Sequence, residues 1–294
     1  MSCDWILQKD GHFRDDVLEV RKRDRKGNTL GNLITNIIKF TGKPDSLKTA
    51  LVSALGDAAS GVDITKVATD WRDDLRLPFS LSTLVPEPAV VAATSLFSQS
   101  EDIGLAILSV GGVDWLRFKT EKDAFLNSMP PEYTETSAGL LAKLKLDGLT
   151  GKALHDKAAI VCPDAIPAGR AARESFKKTG HFNWQAWRAA NWGTQAGPEE
   201  ATVRVEDVDC VSIRFDTVNT APNQWFMAFA KANPDVMCEG AGYDEDTDYA
   251  VRFVGDEPGE ILIEDGDDAD AVAFARMVVH GPRPDEDLDD GLSM

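Results

Sequence analysis

The stretch "CVSIRFDTVNTAPNQWFMAFAKANPD", residues 210–235, changes its period halfway along. In its first half Val211, Ile213 and Phe215 alternate with Ser212, Arg214 and Asp216, the period-two pattern of a strand with one buried face. From Pro222 onward the apolar positions Trp225, Phe226 and Phe229 fall on one side of a helix. Proline suits a first turn, where a helix leaves its N–H groups unbonded in any case. The stretch is therefore a strand running directly into an amphipathic helix.

A second unit of the same kind lies near the start. "LITNIIKFTG", 33–42, is rich in β-branched and aromatic residues and reads as a strand. In "KPDSLKTALVSALGD", 43–57, Pro44 sits near the start and Asp45 or Ser46 can cap. Leu47, Leu51 and Leu55 share a face there, and Gly56 stops the helix. "ATVRVED", 201–207, also alternates, and "VMCEGAGY", "YAVRFVG" and "GEILIED" between 236 and 265 read as three more short strands. "DDADAVAFARMVVHG", 267–281, reads as a helix with acidic residues where the dipole favours them. "LPFSLSTLVPEP", 77–88, is an extended apolar run fenced by prolines, unsuited to a long central strand.

Two strand–helix units sharing one antiparallel sheet define an α+β fold of the ferredoxin-like plan, an antiparallel sheet with packed helices. Between the units, residues 89–180 are alanine-rich with helical spacing, broken at "MPPEYTET" and "VCPDAIPAG". The expected organisation is an N-terminal part of the core at 1–88, a mostly helical insertion at 89–182, the C-terminal part at 183–281 and an acidic tail at 282–294. Residues 1–28, of mixed charge, read as a solvated leader or an edge hairpin.

Of 294 residues, 43% are hydrophobic and 27% charged, a globular composition with enough length for a real core. No apolar run reaches membrane-spanning length, and the first ten residues already carry charge, unlike a secretory signal. A cytoplasmic protein without membrane attachment is expected. Cys3, Cys162, Cys210 and Cys238 are widely spaced, as are His12, His155, His181 and His280, so no metal or cofactor is expected.

The net charge of −18 is unevenly placed. From Glu239 to Met294 there are eighteen Asp and Glu against Arg252, Arg276 and Arg283. Such a field repels phosphate backbones and attracts basic surfaces, so direct nucleic-acid binding is disfavoured and a basic or nucleic-acid-binding protein partner is favoured. Solubility alone is the competing explanation. Asp244, Glu245, Asp246, Asp248, Asp256 and Glu257 are the candidate partner-binding residues. The run "GYDEDTDYA", 242–250, fails as a calcium loop, because Tyr249 and Gly255 stand where glycine and glutamate are required, and reads as a hairpin turn. "TDWRDDLR", 69–76, reads as a solvated helix with local ion pairs. No phosphate-cradling glycine loop and no nucleophile elbow is present, and no catalytic residue is expected.

In "NWQAWRAANWGT", 183–194, helical geometry puts Trp184, Trp187 and Trp192 on one broad face. A face that wide packs against a sheet more readily than it stacks on bases, which requires a basic groove. Trp184, Trp187, Asn191, Trp192, Gly193 and Thr194 are therefore expected to be structural.

In order, the Asn-containing strand 33–42, the "FSLSTLVPEP" segment, the Trp–Asn–Trp–Gly–Thr box and the "FDT" strand leading to a proline-started helix resemble the YubB-type ferredoxin-like family of plasmid and bacteriophage proteins. The resemblance spans about 33–265. It departs at Gln195-Ala196, where the family has Lys-Trp, and in the long stretch between Pro88 and Trp184. It implies a fold and a mobile-element origin, and no catalytic residue.

The expected function is that of a non-enzymatic accessory protein in the bacterial cytoplasm. It would bind and inhibit a host protein, an anti-defence role, by setting an acidic surface against a basic nucleic-acid-binding groove. The alternatives are a metal-dependent nuclease or hydrolase, or a self-assembling structural protein that would form a homo-oligomer.

Overall fold

In the computed structural model, which describes residues 32–94, 99–109, 137–247, 249–266 and 269–280, β1 (Leu33–Gly42) is the middle strand of a seven-stranded open antiparallel sheet. The order is β2-β3-β4-β1-β5-β6-β7. Here β2 is Leu75–Pro78, β3 Glu200–Asp207, β4 Cys210–Val218, β5 Val236–Asp244, β6 Tyr249–Val254 and β7 Leu262–Gly266. The inner four strands carry the fold. Helix α1 (Pro44–Leu55) follows β1, and α8 (Asn223–Ala232) joins β4 to β5. Because β1 pairs antiparallel with both β4 and β5, the two strand–helix units interleave, which is the ferredoxin-like arrangement.

Strand parity decides what each face buries. On β1, Ile34, Asn36, Ile38 and Phe40 point to one side and are fully buried. The register sets Phe40 opposite Val211 and Cys238, and Ile38 opposite Ile213 and Gly240. α8 covers this face with an aromatic cluster. Phe229 lies 5.5 Å from Phe40, and Trp225 is stacked on Phe229 and edge-on to Phe79 and Phe215. α1 buries Leu47, Ala50, Leu51 and Ala54.

The opposite face is covered by a different helix, α9 (Ala269–His280). Its Ala275, Val278 and Val279 pack with Ala241, Tyr243 and Ala250, with Ile37 alongside. α9 crosses from β6, where Phe274 meets Arg252, toward β4, where Val279 meets Arg214.

Two short segments differ from their expected form. Residues 69–76 make a single 3₁₀ turn at Trp71–Asp73 rather than a longer helix. The Asp73 carboxylate accepts the Thr69 N–H at 2.9 Å, and the chain is then drawn into β2 by pairing with β3. After the break at 162–164, α6 (Ala165–Thr179) begins earlier than the prolines suggest. Pro167 falls in its first turn, where no N–H is needed.

The chain divides into two units, Met1–Pro86 with Arg188–Met294, and Glu87–Trp187. The second is helical. It contains α2 (Ala89–Ala92), α3 (Gln99–Ser109), α4 (Ser137–Lys143), α5 (Gly151–Val161), α6 and the first turn of α7 (Trp184–Asn191). Its core gathers Ile103, Ile107, Leu146, Leu154 and Ala158, and Phe176 stacks on Phe182 at 4.6 Å. α3 and α6 cross backbone to backbone at Gly104 and Gly169, where a Cβ on either glycine would enter the other helix's main chain. The buried face of α6 is correspondingly small: Ala165, Gly169, Ala172 and Ser175. No described helix is long and apolar enough to cross a membrane.

Gly104→Ala and Gly169→Ala should each destabilise the insertion by overpacking, by about 1–3 kcal/mol or more. Chemical denaturation followed by the helical signal measures this, and a neutral result at both positions would exclude the close crossing.

Candidate functional site

The carboxylates beyond β5 do not form one cluster. Asp244, the last residue of β5, is 3% exposed. Its Oδ1 accepts the Asp246 N–H at 2.9 Å and its Oδ2 accepts the Thr247 hydroxyl at 2.8 Å. Its carboxylate thus holds the β5–β6 turn, as aspartates commonly do. Glu245 and Asp246 follow on the exposed side of that turn. Asp248 lies outside the described residues. Asp256 and Glu257 are exposed in the β6–β7 turn, at the other end of six-residue β6, a separation of about 17 Å at normal strand rise.

The edge nevertheless carries a net negative surface. Glu245, Asp246, Asp256, Glu257, Glu260, Glu264 and Asp270 are all exposed. Arg252, the cation within β6, is already engaged. Its Nη1 is 3.6 Å from Glu264 Oε2, and its guanidinium lies 4.6 Å from the Phe274 ring centre. Short, acidic β7 is also a poor template for edge-to-edge pairing.

A different arrangement of charge occupies the second face over β2, β3 and β4. Arg204 Nη1 donates to Asp74 Oδ1 at 2.9 Å, and its Nε lies 3.4 Å from Glu206 Oε2. Glu206 Oε1 accepts the Ser212 hydroxyl at 2.7 Å. Burial pushes the Asp74 carboxyl above its ordinary range, and Arg204 opposes that shift. Burial likewise lowers the affinity of the Arg214 guanidinium for its proton, while Asp216, Glu245 and Asp74 raise it. Glu239 is raised by burial against the pull of Lys39 and Arg252.

Sequence reasoning missed this network. Arg204 and Arg214 sit at the polar positions of alternating strands, a visible signal. Their partners depend on strand neighbours that the sequence does not name.

These groups are engaged with one another, as in a structural ion-pair network. Among the described residues, no three His, Cys, Asp or Glu side chains converge as they would on a metal ion. The buried Cys238 thiol is pushed up to about 12 by desolvation, which suppresses the nucleophilic thiolate.

The tryptophan box is a structural corner. α7 ends at Asn191, so Trp192 lies just past the helix rather than on a face shared with Trp184 and Trp187. The buried Trp192 indole N–H donates to the Val85 carbonyl at 2.9 Å, and its own carbonyl accepts the Trp225 N–H at 3.2 Å. Arg188 sits over its ring at 4.9 Å.

Gly193 has φ +89°, and a Cβ there would come within 2.5 Å of the Asn223 nitrogen, so only glycine fits. The Gly193 carbonyl accepts the Thr220 hydroxyl at 2.8 Å. The Thr220 carbonyl accepts the Thr217 hydroxyl at 2.8 Å, and Thr217 Oγ1 accepts from Asn36 Nδ2 at 2.9 Å. Buried Thr194 has its hydroxyl 3.2 Å from the Val218 carbonyl. Trp187 is buried, while Trp184 and Asn191 are half-buried; the Trp184 N–H donates to Thr94 Oγ1 at 3.0 Å.

No protein-family model matches this chain, and no curated protein matches it. Among solved structures, that of protein api92 from Yersinia pseudotuberculosis, a DUF1281 protein, aligns over 80% of this chain and 98% of its own, with a TM-score of 0.31 and 10% sequence identity. Similarity at that level carries no weight for function, and the fold assignment rests on strand order and register.

Trp192→Phe should cost about 1–3 kcal/mol, because it removes the indole donor from the half-buried Val85 carbonyl and shrinks a buried ring. Trp184→Phe, at a half-buried ring, should cost less. Urea denaturation of the two variants compares them, and equal costs would refute the special place of Trp192.

Proposed function

We propose that this chain is a non-enzymatic interaction protein that presents the acidic β5–β7 edge to a basic protein partner. The observation that carries the reading is the asymmetry of charge on that edge. Seven carboxylates stand exposed, while Arg252 is engaged by Glu264 and Phe274. An exposed field of one sign steers oppositely charged partners and repels phosphate backbones. A groove that normally holds nucleic acid has the complementary charge, so occupying it would inhibit its owner. The resemblance of the sequence motifs to plasmid and phage proteins supports a mobile-element setting, with a bacterial host protein, such as a defence nuclease complex, as the target.

The experiment compares the full chain with a variant carrying Glu245→Lys, Asp246→Lys, Asp256→Lys and Glu257→Lys. Asp244 is kept because it forms the turn. Each is used to capture proteins from a bacterial lysate at low salt and at about 0.5 M salt, where exposed charges are largely screened. The wild-type chain should retain basic, nucleic-acid-binding proteins at low salt, lose them at high salt, and reduce their retention of DNA. The variant should capture them at least about tenfold less, equivalent to about 1.4 kcal/mol. Capture that is indifferent to both salt and charge reversal would refute the reading.

A further inference from the structure

The last turn of α9 is held to the sheet at three points. Arg214 Nη1, from β4, donates to the Val279 carbonyl at 3.2 Å, satisfying one of the acceptors a helix end leaves open. The His280 ring stands edge-on to Tyr243 of β5, with centroids 5.7 Å apart. His280 Nε2 lies 2.8 Å from Glu245 Oε1, an ion-pair contact rather than an aligned hydrogen bond. Both side chains are partly exposed, at 29% and 44%, while Nε2 itself is buried against Glu245.

Only the third contact pairs a carboxylate with an imidazole, the side chain whose ordinary charge change falls nearest neutrality. Among the described residues, these groups face this helix end. β4 supplies Arg214 and Asp216, and β5 supplies Tyr243 and the buried Asp244. The β5–β6 turn supplies Glu245 and Asp246, β6 supplies Arg252 farther back under Phe274, and α9 itself supplies Arg276. β1 contributes apolar Ile37. Arg214 feels the charges of Asp216, Glu245 and, from the far side, Asp74. Glu245 therefore lies between a permanent cation and a titratable one.

We propose that His280 and Glu245 form a proton-operated clasp on the last turn of α9, fastened when His280 is protonated and slack when it is neutral. The sign follows from linkage. The carboxylate and the negative end of the helix dipole both favour the protonated ring, so proton binding and fastening promote each other. The stabilisation is present at low pH and is lost as pH rises through the titration of the ring. Arg214 keeps its hold on Val279 throughout, so the turn loosens while the rest of α9 stays seated on Ala241, Tyr243 and Ala250.

The test is amide hydrogen exchange on the full chain at about pH 5.5 and about pH 8, corrected for intrinsic rates, in wild type, His280→Lys and Glu245→Gln. Protection of the Arg276–His280 amides in the wild type should fall about two- to fivefold between the two pH values, the size expected of a partly exposed ion pair. His280→Lys, charged at both, should keep its protection unchanged, and Glu245→Gln should be weakly protected at both. Wild-type protection independent of pH would overturn the clasp. So would a Glu245→Gln variant that kept the wild-type dependence, or a His280→Lys variant unprotected at low pH. None of these measurements involves a partner, so they stand or fall separately from the proposed function.

Discussion

The double pairing of β1 is the constraint on which the rest of this structure depends. Bonded to β4 on one side and β5 on the other, β1 fixes which residues of three strands face α8 and which face α9. A slip of one residue would carry Thr35 and Lys39 into the aromatic layer and turn Ile38 and Phe40 away from it. Parity alone does not exclude a slip of two residues, which keeps every face. Asn36 supplies that discrimination. It is fully buried on the aromatic side, and its Nδ2 donates to Ile34 O and Thr217 Oγ1, while its Oδ1 has no partner among the described residues. A shift of two that set Asn36 opposite Ile213 would carry Thr217 away and leave the donor buried without that acceptor, at a cost of about 1–3 kcal/mol. A single buried polar residue can set register in this way.

From Asn36 the same bonds run outward. Thr217 passes to Thr220, and Thr220 to Gly193, so the central strand is tied to the corner after α7 by hydrogen bonds between short polar side chains and carbonyls. The asparagine, the "FDTVNT" stretch and the Trp–Gly–Thr end of the box, distant in sequence, are thereby joined. They are three parts of one polar connection that runs from the buried central strand to the surface at Thr220, and beside it the Trp192 indole N–H donates to Val85. The inner links, Asn36 and Thr217, are buried, where an unmet polar group is costly, and the outer link at Thr220 is exposed.

The parts legible in the sequence were those governed by local period. β3 and β4 announce themselves by alternation, β1 by β-branched and aromatic content, and α1 and α8 by their apolar faces, because burial on one side imposes the pattern whatever lies opposite. The ferredoxin-like plan followed from the order of those elements. What stayed hidden depended on neighbours distant in sequence. Asp74 looked like one of several solvated carboxylates, yet β2 pairing brings it to Arg204, 130 positions away. Trp192 looked like a third spoke of a helix, but the helix stops one residue earlier because Gly193 must turn with positive φ against Asn223. Neither event has a local signature.

The acidic run shows why composition and surface differ. Asp244, Glu245 and Asp246 are consecutive and alike in charge, yet the fold gives them different work. Asp244 is engaged by its own turn, where two donors bond its oxygens away from solvent. Asp246 stands exposed. Glu245 is shared, because it reaches solvent while His280 holds one of its oxygens. A cation approaching Glu245 therefore meets a carboxylate already paired at the end of α9. Electrostatics at the surface and the seating of a helix on the sheet are coupled through that one side chain. The run of negative charge in the sequence could suggest attraction to a basic surface, but only the backbone of the β5–β6 turn decides how much of that charge is available to attract one.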